Sequence, residues 1–321
     1  MRAGLAFGVA LLAAAANAAL AQNYPGKPVR IIAAQSAGGV TDSLARLLAQ
    51  KFNEAWKQPF IVENRPGAGG TIGTELVVKA PPDGYTLLLS SAGPIVINQS
   101  LYPNLGYDPL KALVPIAFIA SSALVLVTHP SVPATSVKAL IALAKARPGR
   151  LTYGSGGSGS PPHLTAELFK AAAGVDITHI PFKGSAPSVL ALVGGQIDLS
   201  FSTIVITLPQ VNAGRLHALA VTSPQRSKSM SSLPTMIEAG MPRFESQQWF
   251  GLFGPAGLAP EIVTRLSVEA SRIVASPEMR ERLAADGAEP GTLASREFAT
   301  FLGADAARWA RVVKLSGATA E

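Results

Sequence analysis

The sequence predicts a two-lobed α/β protein, and three observations carry that expectation. Strand-like and helix-like segments alternate along the chain, as they do where mainly parallel sheets are layered with helices. The alternation stops and restarts near residue 122, so two such blocks follow one another. Removal of a 21-residue leader from the 321 residues leaves 300, slightly long for one core and ample for two.

The leader comes first. Arg2 supplies a short positive start, Ala3 to Ala16 is almost wholly apolar, and Ala19-Leu20-Ala21 gives a small-x-small site before Gln22. That is the layout of a cleaved secretory signal over residues 1–21, which places the mature chain in the periplasm. No later segment reaches a membrane-spanning length without glycine, proline or charge.

The first block then opens. Val29 to Ala34 reads as a strand, and Thr41 to Trp56 as a helix with Leu44, Leu47, Leu48 and Phe52 on one face. Phe60 to Glu63 is a second strand, Thr71 to Lys79 a helix, and Pro81-Pro82-Asp83-Gly84 turns the chain into the strand Tyr85 to Leu89. The second block has strands at Ala123 to Thr128, Leu151 to Tyr153, Asp176 to Ile180, Ile197 to Phe201 and Leu216 to Thr222. Its helices are Val137 to Ala146, one running through about Ala173, and Ala186 to Val193. A further strand starts at Trp249, and three helices follow: Pro260 to Ala275, Pro277 to Asp286 and Ser295 to Leu315. The chain is expected to cross between lobes near Ile119 to Ala123 and to return near Phe244 to Trp249. One lobe then holds residues 22–121 plus 248–321, and the other residues 122–247.

Composition narrows the chemistry. There is no cysteine, which removes thiol nucleophiles, sulfur-ligated metals and a lipidated N-terminal cysteine. The net charge of +7 is scattered with no run of four basic residues, so no nucleic-acid stripe is present and the mild positive field favours small anions.

Three loops each follow a strand and open a helix, where unpaired N–H groups and the helix dipole attract an anion. In the first, Gly38 and Gly39 allow close backbone approach, Val40 enters the helix, and Thr41 or Asp42 is placed to cap it. The second is Gly154-Ser155-Gly156-Gly157-Ser158-Gly159-Ser160. There Ser160 fits an N-cap with Pro161 at the first helical position, and the hydroxyls of Ser155, Ser158 and Ser160 can donate to an oxyanion. His163 lies in the first turn, where the dipole disfavours an imidazolium, so it is expected to be neutral. The third runs through Lys183, Gly184, Ser185 and Ala186, with Ser185 as the expected cap. Ser90 and Ser91, following the strand Tyr85 to Leu89, join them. Ligands of open α/β sheets sit beyond the carboxyl ends of strands, where all of these residues fall. Arg65, Asp198 and Trp249 are expected to serve structure.

Enzyme readings fare less well. Gly154, Gly156 and Gly159 match the dinucleotide pattern G-x-G-x-x-G, but Asp176 stands at the beginning of the next strand instead of its end. No Gly-Lys-Ser/Thr and no G-x-S-x-G elbow occurs, and the four histidines lack metal-ligand spacing. No cofactor is expected. A dinucleotide-dependent secreted enzyme and a ligand-sensing subunit of a signalling kinase stand as alternatives.

Several phrases resemble the tripartite tricarboxylate transporter substrate-binding proteins, the Bug-type extracytoplasmic receptors. They are Asn64-Arg65-Pro66-Gly67-Ala68-Gly69-Gly70, Pro82-Asp83-Gly84-Tyr85-Thr86-Leu87, Leu151-Thr152-Tyr153-Gly154-Ser155, Gly195-Gln196-Ile197-Asp198, Gly38-Gly39-x-x-Asp42 and His179 to Gly184. The resemblance runs in order from about Tyr24 to the final helix. It implies a type II periplasmic-binding-protein (Venus flytrap) fold that holds an organic carboxylate through backbone amides, small hydroxyls and bound waters. It also implies two integral membrane transporter subunits as partners, with a monomer as the default receptor state. Phe182 stands where a tyrosine is common, and Ala33-Ala34-Gln35-Ser36 replaces a more usual Pro-rich, aromatic-containing stretch.

Overall fold

The computed structural model describes residues 24–318 apart from 39, 103, 183 and 286, so the leader lies outside the described residues. The first strand among the described residues is β1 (Val29–Ala33), whose β-branched residues Val29, Ile31 and Ile32 are fully buried. Helix α1 (Val40–Trp56) turns Leu44, Ala45, Leu48, Ala49 and Phe52 inward, the spacing of one helical face. Strand β2 (Phe60–Asn64), helix α2 (Thr71–Val78) and strand β3 (Thr86–Ser91) follow. β1 pairs in parallel with both β2 and β3, and Arg30 on β1 grips Glu63 on β2 through two hydrogen bonds of 2.7 and 2.9 Å.

A 16-residue strand, β4 (Leu113–Thr128), comes next. Beyond it lie helix α3 (Val137–Ala146), β5 (Thr152–Ser155), α4 (Pro161–Ala173), β6 (Thr178–Pro181), α5 (Ser185–Val193) and β7 (Leu199–Thr203). Helix α6 (Ile204–Asn212), β8 (His217–Val221), β9 (Gln247–Pro255), α7 (Pro260–Val274), α8 (Pro277–Ala285), β10 (Ala288–Pro290) and α9 (Ser295–Ser316) complete the order.

β4 organises the molecule. Its first part pairs antiparallel with β9, from Leu113 against Pro255 to Ala123 against Gln247. Its last five residues, Leu124 to Thr128, pair antiparallel with β7, and Val125 to Thr128 also pair with β8. The strands form one network in the order β2-β1-β3-β9-β4-β7-β5-β6, with β8 and β10 attached to β4. The sheets were expected to be mainly parallel; the four pairings of β4 and that of β3 with β9 are antiparallel, because one long strand passes through both halves.

Two apolar layers cover the first half. One packs α1, α7 and α8 on β1 and β3, and the other packs Ile95, Val96, Phe298 and Trp309 around Trp249. The second half has two layers as well, built around Phe169, Phe201 and Phe244 on one side and Val189, Leu192 and Ile204 on the other. Trp249, a core residue by sequence, is fully buried and donates through Nε1 to Asp305 at 2.8 Å.

Candidate functional site

Strand direction locates the site. β1 and β3 run alongside each other, and Ser91 at the end of β3 lies opposite Phe250 near the start of β9. Since Gln247 pairs with Ala123, the carboxyl ends of β1 and β3 lie toward the Ala123–Leu124 junction of β4. From the other half, Thr203 at the end of β7 pairs with Leu124, and β5 and β6 run parallel with β7. The carboxyl ends of both sets of parallel strands therefore meet at the level where β4 exchanges one set of partners for the other. That is where ligands of such sheets sit.

The first loop is tied down by its own helix. The Gly38 N–H donates to Asp42 Oδ2 at 2.9 Å, and Arg46 Nε lies 3.0 Å from Oδ1. Burial pushes the Asp42 carboxyl up, but the Gly38 amide and then Arg46 together hold it below the usual carboxylate range. Thr41 donates to Gln35 Oε1 at 2.8 Å, and Gln35 Nε2 donates in turn to Ser91 Oγ at 3.3 Å. Two expectations change here. Thr41 and Asp42 lie inside α1, which starts at Val40, and neither caps it; the Gly38 amide, expected to face a ligand, is already taken by Asp42. Gly38 has φ +82° with nothing within 4 Å of a built β-carbon, so glycine serves the left-handed turn there. Gly39 lies outside the described residues.

Ser90 and Ser91 do not follow β3 but end it, and both are buried. Ser90 Oγ has no hydrogen-bond partner among the described residues. Gln35, to which nothing in the sequence pointed, joins the first loop to this strand end; Asn98 is another such link, donating to the Gly69 carbonyl at 3.1 Å and to Thr71 Oγ1 at 3.2 Å. Their partners are distant in sequence, so no local spacing could have revealed them.

The second loop turns its hydroxyls inward. Ser155 Oγ sits 2.7 Å from His179 Nε2, accepts the Gly157 N–H at 3.1 Å and is 3.1 Å from the Gly157 carbonyl. Ser160 occupies the N-cap position of α4 with Pro161 first in the helix, but its hydroxyl donates to the Gly157 carbonyl at 2.7 Å and does not cap. Ser155 and Ser160 thus brace the loop, while Ser158 is exposed. His163 accepts the Gly159 N–H on Nδ1 at 3.0 Å, which requires that nitrogen to be unprotonated, and burial holds its pKa below the ordinary value. Its ring stacks on His179 at 4.1 Å between centroids, and His179 stacks on Tyr153 at 4.8 Å. Burial first, and then the adjacent His163, bring His179 down to about 4. Tyr153 donates to Glu167 at 2.6 Å, and Lys170 reaches the same oxygen at 2.8 Å.

The Ser155–His179 contact is a serine–histidine pair that the sequence did not disclose. Its geometry is not that of an activated nucleophile: Ser155 is 1% exposed, its oxygen accepts an amide, and Glu167, the carboxylate beside this stack, is bound to Tyr153.

The third loop touches the second. A β-carbon at Gly156 would lie 3.0 Å from Ser185 Oγ and 3.1 Å from its nitrogen, and one at Gly157 would lie 3.4 Å from the Phe182 carbonyl. Gly184, at φ +116° and ψ 161°, is the cap residue of α5, so Ser185 is the first helical residue and not the cap; Ala186 follows it on the surface. Lys183 lies outside the described residues. The two halves meet where a β-carbon at Gly159 would come 2.5 Å from Leu101. Arg65 pairs with Glu63, and Asp198 accepts from the Thr152 amide and hydroxyl at 2.7 and 2.9 Å, so both brace strands as expected.

Residues 44–318 match the tripartite tricarboxylate transporter family receptor profile. The chain belongs to that family. Protein BugT of Bordetella pertussis is 39% identical over 299 residues, covering 93% of this chain and 92% of that one. Among solved structures, R. palustris Rpa4515 with adipate is 38% identical with a TM-score of 0.80, covering 92% of this chain and 99% of that one. MatC from Rhodopseudomonas palustris with bound malate is 30% identical with a TM-score of 0.76, covering 90% and 100%. The receptor's fold is accordingly the two-lobed, type II-like arrangement of these binding proteins.

Proposed function

We propose that this receptor is exported to the periplasm, captures a small organic carboxylate between its lobes and delivers it to two integral membrane subunits of a tripartite transporter. The observation that carries the reading is the convergence of both sets of strand ends, with their small-residue loops, at the Ala123–Leu124 junction of β4. Relatives solved with adipate and with malate support the ligand class. The lobes comprise residues 22–121 plus 248–321 and residues 122–247, hinged where β4 changes partners.

The ligand groups are backbone amides and small side chains: Gly39, Val40, Ser90 and Ser91 from the first lobe, and Gly156, Ser158, Gly159, Gly184, Ser185 and Ala186 from the second, with Lys183 at the mouth. Ser155, Ser160 and His163 hold the second loop in shape, as Asp42 and Thr41 hold the first. Binding is by closure without chemistry on the ligand: water leaves, and each amide-to-carboxylate hydrogen bond strengthens in the drier cleft. The protein acts as a monomer.

The test is a thermal-unfolding screen of the mature chain against organic acids, amino acids, sugars and dinucleotides. A carboxylate at about a hundred times its Kd adds roughly 2.7 kcal/mol, enough to raise the midpoint by a few degrees. A shift produced by dinucleotides and by no carboxylate would overturn the reading.

A further inference from the structure

A cavity of about 530 Å³ lies along the hinge strands and shares none of its walls with the three loops. Its floor is Phe118, Ser121 and Ala123 of β4 with Gln247 of β9, all on the β9-paired side of the change of partners and reaching up to it. One wall is the segment Ser223 to Lys228 that follows β8. The other is built by Arg280 of α8, Glu289 and Pro290 of β10, Thr292 and Leu293 of the loop that follows, and Phe301 of α9.

Three cationic side chains and one carboxylate line this space. Lys228 and Glu289 neutralise each other at 3.2 Å across the two walls, and Arg226 is held by Glu238 at 2.9 Å. Arg280 forms no ion pair with a carboxylate among the described residues, so the cavity retains one guanidinium, a planar fork suited to a carboxylate. Phe118, Phe301, Leu293, Pro224 and Pro290 make the remaining surface apolar, and Ser121 and Gln247 place hydrogen-bonding groups on the floor. The volume falls in the range of small-molecule sites.

We infer that this hinge cavity is a second binding site, for a monocarboxylate with an aromatic or bulky apolar body, anchored by Arg280 with its body against the rings of Phe118 and Phe301, which pack edge to face on each other at 5.6 Å between centroids. A dicarboxylate does not suit it, because one uncompensated cation faces a largely apolar wall and a second carboxylate would be buried without a partner. The walls come from segments on both sides of the change of partners in β4, so affinity here and the angle between the lobes are thermodynamically linked.

Benzoate is the probe, titrated into the mature full chain and followed by calorimetry and tryptophan emission. Phe118 and Phe301 both line the cavity and lie 6.4 and 6.0 Å from Trp249, so occupancy changes the emission of that residue. The expected result is saturable millimolar binding that Arg280→Glu weakens at least tenfold, Arg280→Lys weakens less, and the neutral analogue benzamide does not reproduce. Thr292→Glu, a change on an exposed loop residue of the same wall, is expected to weaken benzoate at least tenfold as well, which guards against a folding defect in either variant. Absence of saturable benzoate binding, or equal affinity in the wild type and both glutamate variants, overturns the inference. Neither outcome touches the cleft, whose own failure would appear as the absence of a thermal shift with dicarboxylates, which this cavity does not suit.

Discussion

At the scale of single residues, the histidine stack sets a dependence on pH. His179 and His163 lie face to face, with Tyr153, Glu167 and Lys170 as the titratable and charged neighbours packed against them. Both have pKa values held below the ordinary histidine value, so the unfolded chain takes up protons that the folded chain refuses. Stability contributed by neutral His179 is complete above a pH of about 6.5 and drains away as pH falls toward about 4. After discounting for the partly exposed position of His179, the loss is about 1–2 kcal/mol. His179→Gln keeps a hydrogen-bonding group beside Ser155 and removes the titration, so the slope of unfolding free energy against pH should flatten in that window. An unchanged slope in urea titrations would assign the dependence to other groups. Gly156→Val is the residue-scale test of the cleft. Its first side-chain carbon already meets Ser185 at 3.0 Å, so the second and third loops must part, and affinity for whichever carboxylate the thermal screen finds should fall more than tenfold.

At the scale of elements, β4 and β10 make a contact with no slack. A β-carbon at Gly291 would sit 1.9 Å from the Phe118 carbonyl oxygen, while the Gly291 N–H donates to the Ile119 carbonyl at 2.9 Å. Backbone atoms cannot swing aside, so Gly291→Ala should cost about 2–3 kcal/mol, read as a lowered urea midpoint at constant m-value. The elements also show what was legible. β1, α1, α3 and α4 stand out because apolar period and flanking turn residues agree, and their observed ends fall within a residue of those expected. The first ten residues of β4 were not foreseen. Pro115 sits inside them, and irregularities at Pro115/Ala117 and Phe118/Ala120 break the two-residue alternation that marks a strand. Helix α6 was hidden in the same way by Pro209 within it. The glycine and serine loops were visible because turns after strands have their own chemistry. Their internal wiring was not: Ser155 to His179 spans 24 positions and Gln35 to Ser91 spans 56, separations that only the folded sheet closes.

At the scale of the whole molecule, the ten strands share one hydrogen-bonded network. Heating should therefore produce one transition, with calorimetric and van't Hoff enthalpies equal; two resolved transitions would mean that the lobes melt independently. The continuity of β4 also bears on how this chain can be taken apart. Severed between Ala123 and Leu124, the first fragment would carry β4 up to Ala123 without β9, and the remainder would hold β9 with that neighbour gone and only a five-residue stub of β4 to bridge β7 and β8. Each piece would expose an unpaired strand edge in place of a finished surface, so fragments made singly should aggregate. Produced together in one cell they can re-zip, which makes this junction a natural place to split the protein into two inert parts whose reunion rebuilds the receptor.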